Sequence, residues 1–338
     1  MIYRVTLIAA IVGVFAASLV ARQRIEGART CTARQASSGT HSSTTEQASG
    51  TQAADTGSTQ GQCRRIVAMA PSITETFYAL GLGGRLVGVT RDCKYPPEVE
   101  EIKKRGDVGS YYDINFEAIV ALRPDRVVML KEQSNWLPAF EKLGLQTLVV
   151  SHQTTDGIIE SFGTIGTACG KGPEGRQMQR DFRHRVARIR AETAGLPRPR
   201  VLFVLDRSYG RGHLADLYVA ADDDYIDTII QWAGGQNAYR LRGVRYPVVS
   251  VEGILWLNPD VIVDMVPPDT LRQLGRQAIL DDWNQLKGVK AVKDQRVLIP
   301  ERDYAYVPGP RFLELVEYLA GEIHPEGREE RGEGRGKE

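Results

Sequence analysis

Two segments that lie 135 residues apart share one sequence pattern, and this repeat limits the chain's fold more than any other feature. Residues 117–128 (EAIVALRPDRVV) and 252–263 (EGILWLNPDVIV) are identical at six of twelve positions, without a gap. Each segment predicts an amphipathic helix, a Pro-Asp turn and a buried strand. Unless this is a chance similarity between two amphipathic units, the repeat predicts two α/β lobes of like fold, each of about 110 to 130 residues.

The sequence around the repeat supports an α/β architecture, because apolar runs alternate with amphipathic segments. The first apolar run, Ile66–Ala70, precedes Pro71, and we expect a helix there with Ser72 as N-cap and Glu75 completing a capping box. Between the two copies, apolar residues recur at helical spacing on one face of residues 173–196, and arginines crowd the other face. The pattern predicts one long helix, a stiff connector between Rossmann-like lobes with a ligand cleft between them.

The two ends of the chain differ from this body. Residues 1–24 contain an uncharged apolar run that predicts a signal peptide or an N-terminal membrane anchor. Residues 25–62 are rich in Ser, Thr and Gly and predict a disordered tether, and 325–338 predict a disordered tail. The expected parts of the body are an N-terminal lobe (63–170), a linking helix (171–197) and a C-terminal lobe (198–324). We therefore expect an exported protein, periplasmic or otherwise extracytoplasmic, that touches the membrane only through its N-terminus.

Charge and motifs weigh against several functional classes. The 338 residues include 43 Lys plus Arg and 42 Asp plus Glu, a formal net charge of +1, whereas a nucleic-acid binder usually has a basic excess. The sequence lacks GxSxG, HExxH and Walker A motifs, and its five histidines show no ligand spacing. It therefore predicts no cofactor, no metal site and no catalytic residues.

Four cysteines occur, at positions 31, 63, 93 and 169, and none forms a CxxC motif. In an exported protein, Cys93 and Cys169 are candidates for a disulfide because both fall in the expected body. Spacing alone does not fix that pairing.

Tyrosines gather in the segments that connect the expected strands and helices. In α/β folds such connections lie at one end of the sheets, where ligands bind, and aromatic rings there suit stacking on a large, partly apolar ligand. A single tyrosine of this kind is usually a plain surface ring, but the set predicts one shared cleft. Its members are Tyr95, Tyr111, Tyr112, Tyr246, Tyr304 and Tyr306.

Three segments resemble the class III periplasmic binding proteins of ABC importers. They are residues 65–99 (RIVAMAPSITETFYALGLGGRLVGVTRDCKYPPEV), 114–129 (INFEAIVALRPDRVVM) and 249–265 (VSVEGILWLNPDVIVDM). The resemblance spans about residues 65 to 323. It implies two lobes joined by one long helix, a ligand in the cleft, and no catalysis.

The resemblance also implies a partner. It assigns Glu117 and Glu252, one in each lobe, to salt bridges with arginines of a dimeric permease. Their equal places in the repeat suit a two-fold-symmetric partner, although each carboxylate would also stabilise its helix N-terminus.

Among members of the family, the chain looks most like vitamin B12 binders. That likeness adds Asp303, beside Tyr304, to the cleft residues. Asp92 stands where such binders often carry an aromatic, and it lies between Arg91 and Lys94 in a charged lip that suits an iron chelate equally well. The leading interpretation is a corrinoid carrier, with a ferric-siderophore or haem carrier as the alternative. A membrane-anchored sensor domain or an α/β enzyme is the alternative from another class.

Overall fold

The computed structural model of the protein describes residues 63–222, 225–241, 243–244, 246–301 and 303–325. The predicted N-terminal segment, the tether and all but the first residue of the predicted tail lie outside these ranges. Within the described part of the chain, no helix is long and apolar enough to cross a membrane.

The N-terminal lobe is built on a parallel sheet with helices on both faces. Its strands are β1 (Ile66–Ala68), β2 (Leu86–Val89), β3 (Arg126–Leu130) and β4 (Thr147–Val150). Its helices are α1 (Pro71–Ala79), α2 (Val99–Gly106), α3 (Phe116–Ala121), α4 (Leu137–Lys142) and α5 (Thr155–Ala168). The strand order is β2-β1-β3-β4, with every pair parallel. Ile66 and Ala68 pack toward α1 and α5, and Val67 packs toward α3 and α4, so both faces of the sheet are covered.

The C-terminal lobe repeats this plan and adds antiparallel strands at one edge. Its strands are β5 (Arg200–Asp206), β6 (Leu217–Val219), β7 (Gln236–Asn237), β8 (Val248–Val249), β9 (Val261–Asp264) and β10 (Val297–Leu298). Its helices are α7 (Tyr225–Trp232), α8 (Val251–Leu257), α9 (Pro268–Trp283), α10 (Lys290–Lys293) and α11 (Phe312–Ile323). The order is β10-β9-β5-β6-β8, with β7 beside β5 and with β6 and β8 antiparallel. The predicted fold class, two α/β lobes, is confirmed.

One long helix, α6 (Gly172–Glu192, 21 residues), lies between the two lobes in the chain. Phe182, Val186 and Ile189 of its apolar face are buried in the core that also contains Phe203 and Phe312 of the C-terminal lobe. Its N-terminal half lies against α5, where a Cβ on Gly175 would stand only 2.4 Å from the carbonyl oxygen of Phe162. A glycine at this position therefore permits the close approach of the two helices.

The repeated unit has the same helix ends in both lobes. The side chain of Asn115 accepts a hydrogen bond from the amide of Ala118 and caps α3, and Ser250 caps α8 in the same way. Past the helix ends, Arg123 (φ 46°) and Asn258 (φ 42°) adopt the left-handed conformation. In both lobes, this left-handed residue reverses the chain direction directly before the Pro-Asp turn.

The aspartate of each Pro-Asp turn holds the start of the central strand. Asp125 Oδ2 accepts hydrogen bonds from the amides of Arg64 (2.8 Å) and Arg65 (3.1 Å), and its own amide donates to the Arg65 carbonyl (2.9 Å). In the C-terminal lobe Asp260 Oδ2 accepts from the Arg200 amide (2.8 Å), and the Asp260 amide donates to the Arg200 carbonyl (2.8 Å). In each copy of the repeat, the aspartate of the Pro-Asp turn therefore fixes the start of the central strand. We call this contact the strand-start clamp.

The structure overturns the predicted disulfide. Cys169 is bonded to Cys63, with their Cα atoms 5.0 Å apart, and not to Cys93. Cys93 is a buried free thiol whose sulfur contacts the hydroxyls of Thr74 (3.3 Å) and Thr90 (3.4 Å). Parallel pairing places the start of β1 beside the end of α5, and this brings together two cysteines that are 106 residues apart.

The predicted capping box at α1 is also wrong. The N-cap is Ala70, without a side-chain cap, and Pro71 opens the helix. Pro at this position needs no amide partner and has a preset φ, so the helix begins at Pro71, two residues before the start that an N-cap at Ser72 implies. Ser72 and Glu75 therefore lie inside the helix, where their side chains contact His152 and Arg311 of other elements.

Candidate functional site

The loop after β2 and the Tyr111-Tyr112 loop are held together on the N-terminal lobe. Asp92 Oδ2 accepts a hydrogen bond of 2.7 Å from the amide of Tyr111. The two tyrosine rings meet edge to face, with centroids 4.6 Å apart and an interplanar angle of 71°. Three predicted site residues, Asp92, Tyr111 and Tyr112, thus form one cluster.

Gln133, which sequence reasoning missed, positions this cluster. Its amide nitrogen donates to the carbonyl oxygens of Met69 (2.9 Å) and Tyr111 (3.1 Å), and its oxygen accepts from the Leu130 amide (3.0 Å). Gln133 is buried and ties the carboxyl ends of β1 and β3 to the tyrosine loop. Because the carboxyl ends of parallel strands form the usual ligand edge of an α/β sheet, the cluster lies at that edge.

The Tyr111 and Tyr112 rings differ in exposure, but both phenol groups are neutral. Tyr112 is 40% exposed, whereas Tyr111 packs against the N-terminal core. Burial, followed by the nearby Asp92 carboxylate, raises the pKa of Tyr112 to about 12, and burial also raises the pKa of Tyr111. Both phenols therefore stay neutral near pH 7, and they offer ring surfaces and hydroxyl groups to a ligand.

Tyr95 belongs to a contact between the lobes. The guanidinium carbon of Arg311, which immediately precedes α11, lies 3.7 Å from the centroid of the Tyr95 ring. Arg311 also forms a bidentate pair with Glu75 of α1, with Nη2–Oε1 at 2.5 Å and Nε–Oε2 at 3.0 Å. The side chains of Arg311 and Glu75 are only 13% and 3% exposed.

The aromatic residues of the C-terminal lobe lie in different environments. Tyr304 is buried in the core beside α11, and Tyr306 packs against the same core. The Tyr306 hydroxyl is buried without a hydrogen-bond partner among the described residues, and burial, with the nearby Asp264 and Asp206 carboxylates, raises its pKa. Tyr246 is half-buried just before β8. Asp303 lies in a short 3-10 turn, Asp303–Tyr306, but its side chain is outside the described part of the structure.

A buried ion cluster stands at the carboxyl ends of β5 and β9. Arg207 donates to Asp264 (2.9 Å) and Asp282 (2.8 Å), and Trp283 donates to Asp264 (2.7 Å). The Arg207 guanidinium also stacks on the ring of Tyr209, 4.5 Å from its centroid. The two carboxylates raise the pKa of Arg207 against the opposing effect of its burial. The cluster fixes this end of the C-terminal sheet.

His152 joins β4, α1 and α5. Its Nδ1 lies 2.9 Å from the hydroxyl of Ser72, and its Nε2 lies 3.0 Å from that of Ser161. Ser161 donates its own proton to the Ile158 carbonyl (2.6 Å), so Nε2 carries the ring proton and Nδ1 accepts from Ser72. Burial lowers the pKa of His152 to about 3, and this neutral ring connects three elements.

The two glutamates expected to contact a partner occupy equal positions. Glu117 and Glu252 are each the second residue of a short helix, α3 or α8, and both are exposed. Hydrogen bonds from its own amide and from the Ser250 hydroxyl lower the pKa of Glu252, so this carboxylate is charged at neutral pH.

Sequence reasoning finds no signal for several of these contacts. Glu75 and Arg311 are 236 residues apart, and neither lies in a motif that points to the other. Across the part of the chain that the structure describes, no group of three or more His, Cys, Asp or Glu residues could hold a metal ion.

Comparison with known proteins gives a consistent result. The sequence profile of the periplasmic binding protein family matches residues 66–302. The uncharacterized ABC transporter substrate-binding lipoprotein YvrC of Bacillus subtilis is 28% identical over 272 residues, which cover 78% of this chain and 81% of YvrC.

Solved structures share the fold. The periplasmic vitamin B12 binding protein BtuF of Vibrio cholerae superposes with a TM-score of 0.64 and 26% identity, covering 77% of this chain and 96% of that one. The periplasmic heme-binding protein RhuT of Roseiflexus sp. RS-1, in its apo form, gives a TM-score of 0.65 and 23% identity, covering 78% and 99%. The second likeness concerns the fold alone.

Proposed function

The chain belongs to the periplasmic binding protein family, and from this premise we propose that it is the extracytoplasmic solute-binding component of an ABC importer and that it carries a corrinoid. The observation that carries the ligand proposal is the cluster of neutral tyrosine rings, Tyr111 and Tyr112, at the ligand edge of the N-terminal sheet. Flat aromatic faces with hydroxyl groups suit a large ligand that is partly apolar and rich in amides. The likeness to a vitamin B12 binding protein supports the same ligand.

The charged lip also favours a corrinoid over an anionic iron chelate. Arg91 Nε lies 3.7 Å from Asp107 Oδ2, and the Asp92 carboxylate is engaged by the Tyr111 amide. The two cations of the lip, Arg91 and Lys94, are therefore matched in number by two carboxylates, Asp92 and Asp107. The lip offers little uncompensated positive charge to a ferric siderophore, which remains the alternative ligand together with haem.

We assign the remaining predicted cleft residues by their environments. Tyr95 contributes its ring beside Arg311. The Tyr306 hydroxyl is buried, so this residue supports the C-terminal side of the cleft near Asp206 and Asp264, at the ends of β5 and β9. Tyr304, which is 8% exposed, supports the loop from the core. Tyr246 and Asp303 are retained as proposed cleft residues on the sequence argument alone.

The docking role of Glu117 and Glu252 is part of the same proposal. Both carboxylates are exposed, and the helix N-termini that they occupy are already capped by Asn115 and Ser250. An acidic residue in the first turn stabilises a surface helix by only about 0.3–1 kcal/mol. Two exposed carboxylates at equal places in two lobes suit recognition by basic groups on a permease dimer.

Titration calorimetry tests the ligand directly. We expect the purified chain to bind cyanocobalamin, and to bind haem and ferric hydroxamate and catecholate siderophores much more weakly. Replacing Tyr112 by Ala should weaken cobalamin binding about tenfold, as expected for an aromatic contact worth more than about 1 kcal/mol. Tyr112→Phe, which keeps the ring, is the matched control.

Three results would contradict the proposal. No heat with cyanocobalamin would refute the corrinoid, and tight binding of a ferric chelate or haem would replace it. A chain that binds cobalamin but does not support its uptake together with a permease would act as a sensor and not as a carrier.

A further inference from the structure

The most exposed large apolar side chain of the described residues is Trp256, at 82% exposure. It lies on α8, on which Ile254 and Leu257 are buried in the core, so α8 is already anchored without it. Leu255, its neighbour, is 46% exposed. An indole as exposed as that of Trp256 among the described residues is typical of the centre of a binding surface, where tryptophan is enriched.

The exposed apolar surface of Trp256 and Leu255 adjoins Glu252, the proposed docking carboxylate. Glu252 and Trp256 are separated by four residues in α8 and therefore lie on the same side of the helix, one turn apart. Leu255 comes within 3.8 Å of the position that a Cβ on Gly288 would take, so the apolar area reaches the connection before α10. The Glu252 carboxylate and the exposed side chains of Leu255 and Trp256 thus form one contiguous surface.

The N-terminal lobe carries the same surface without the indole. In α3 the matching residues after Glu117 are Val120, 41% exposed, and Ala121, also exposed. The order of exposed and buried residues is the same in both helices, with Ile119 and Ile254 buried. The two lobes therefore present equal charges but unequal apolar areas.

We propose that Trp256, with Leu255 beside it, is the apolar anchor of the surface that binds the importer's permease, and that the C-terminal lobe makes the stronger of the two contacts. This inference rests on the proposed function. The partner's surface should be an apolar pocket next to an arginine or lysine that pairs with Glu252. A two-fold-symmetric permease would meet Trp256 on one side and Ala121 on the other, so the contact is asymmetric.

The test measures binding of the chain to its permease–ATPase complex in nanodiscs by biolayer interferometry. We expect Trp256→Ala to weaken binding at least tenfold and Trp256→Phe to weaken it less, with cyanocobalamin affinity unchanged in both. Leu143→Ala removes a side chain that is 47% exposed and lies outside both helices, and it should bind as the wild type does. The double variant Ala121→Trp, Trp256→Ala should recover part of the lost affinity, because it moves the anchor to the other lobe.

The glutamates separate failure of this inference from failure of the docking proposal. If Trp256→Ala binds normally while the double variant Glu117→Gln, Glu252→Gln does not bind, the anchor is refuted and the docking role of the glutamates stands. If the glutamate variant binds normally and Trp256→Ala is weak, the anchor stands without the charge pair. If the wild type does not bind, both proposals fail.

A second copy of the chain is the competing occupant of this surface. Analytical ultracentrifugation of the wild type and of Trp256→Ala distinguishes it. A wild-type dimer that becomes a monomer on substitution would overturn the inference, whereas monomers in both cases support it.

Discussion

At the scale of single residues, a buried titratable group shows how the N-terminal lobe is held together. His152 is 4% exposed and bridges Ser72 and Ser161 as a neutral ring. Its pKa falls from 6.5 to about 3 because a charged imidazolium would lose its hydration on burial. The sequence shows this histidine only as an isolated residue without ligand spacing.

The first prediction is an acid-dependent loss of stability that passes through His152. Between pH 6.5 and 3 the unfolded chain binds a proton at this residue and the folded chain does not, so the free energy of unfolding falls as the pH falls. Relative to His152→Gln, the wild type should lose up to about 1.4 kcal/mol per pH unit in this range. Urea unfolding at several pH values measures the difference, and parallel curves for the two proteins would contradict the assignment.

At the scale of elements, the repeat is a structural device as well as a sign of two lobes. A capped helix, a left-handed residue and a Pro-Asp turn place an aspartate at the start of the central strand of each lobe. This aspartate contacts Arg65, just before β1, in one lobe and Arg200, the first residue of β5, in the other. The sequence predicts the helix, the turn and the strand because each depends on neighbouring residues. It does not predict the aspartate's contact, which joins residues about 60 positions apart.

The second prediction concerns these aspartates. Asp125→Ala and Asp260→Ala should each lower the free energy of unfolding by about 1–3 kcal/mol, because backbone amides at the start of β1 or β5 lose their acceptor. Asp269→Ala is the matched control. Asp269 forms an exposed ion pair with Arg272 on α9, and its removal should change stability by less than about 0.5 kcal/mol. Chemical denaturation followed by circular dichroism measures all three, and equal effects in the three variants would refute the clamp.

At the scale of the whole molecule, two features limit how far the lobes separate. Helix α6 runs from α5, against which it packs, into the C-terminal core. Arg311 then ties the C-terminal lobe to Glu75 and Tyr95 of the N-terminal lobe. Together these contacts predict small lobe movements on ligand binding.

The third prediction follows from the contacts that Arg311 of the C-terminal lobe makes with Glu75 and Tyr95 of the N-terminal lobe. The ligand-free and cobalamin-bound wild type should give the same radius of gyration in small-angle X-ray scattering. Arg311→Gln should enlarge the ligand-free molecule and, because Glu75 is left buried without its charged partner, lower stability by about 3–5 kcal/mol.

Arg276→Gln provides the control for that experiment. It breaks an exposed ion pair with Glu301 inside the C-terminal lobe and should change neither the scattering profile nor the stability measurably. A large closure of the wild type on ligand binding, or an unchanged scattering profile for Arg311→Gln, would contradict the claim that the Arg311 contacts hold the two lobes together.

Features that depend on short stretches of chain can be predicted from the amino-acid sequence. The alternation of apolar runs and amphipathic helices gave the α/β class, the repeat gave two like lobes, and the spacing of apolar residues in 173–196 gave the long helix found at Gly172–Glu192. Which distant residues meet is set by the packing of the whole molecule. This packing paired Cys169 with Cys63 in place of Cys93, used Glu75 to bind Arg311 in place of capping α1, and buried Tyr304 while it left Trp256 exposed. Periodicity reports which side of an element is apolar, whereas the partner across a sheet or a cleft depends on how all the elements pack at once.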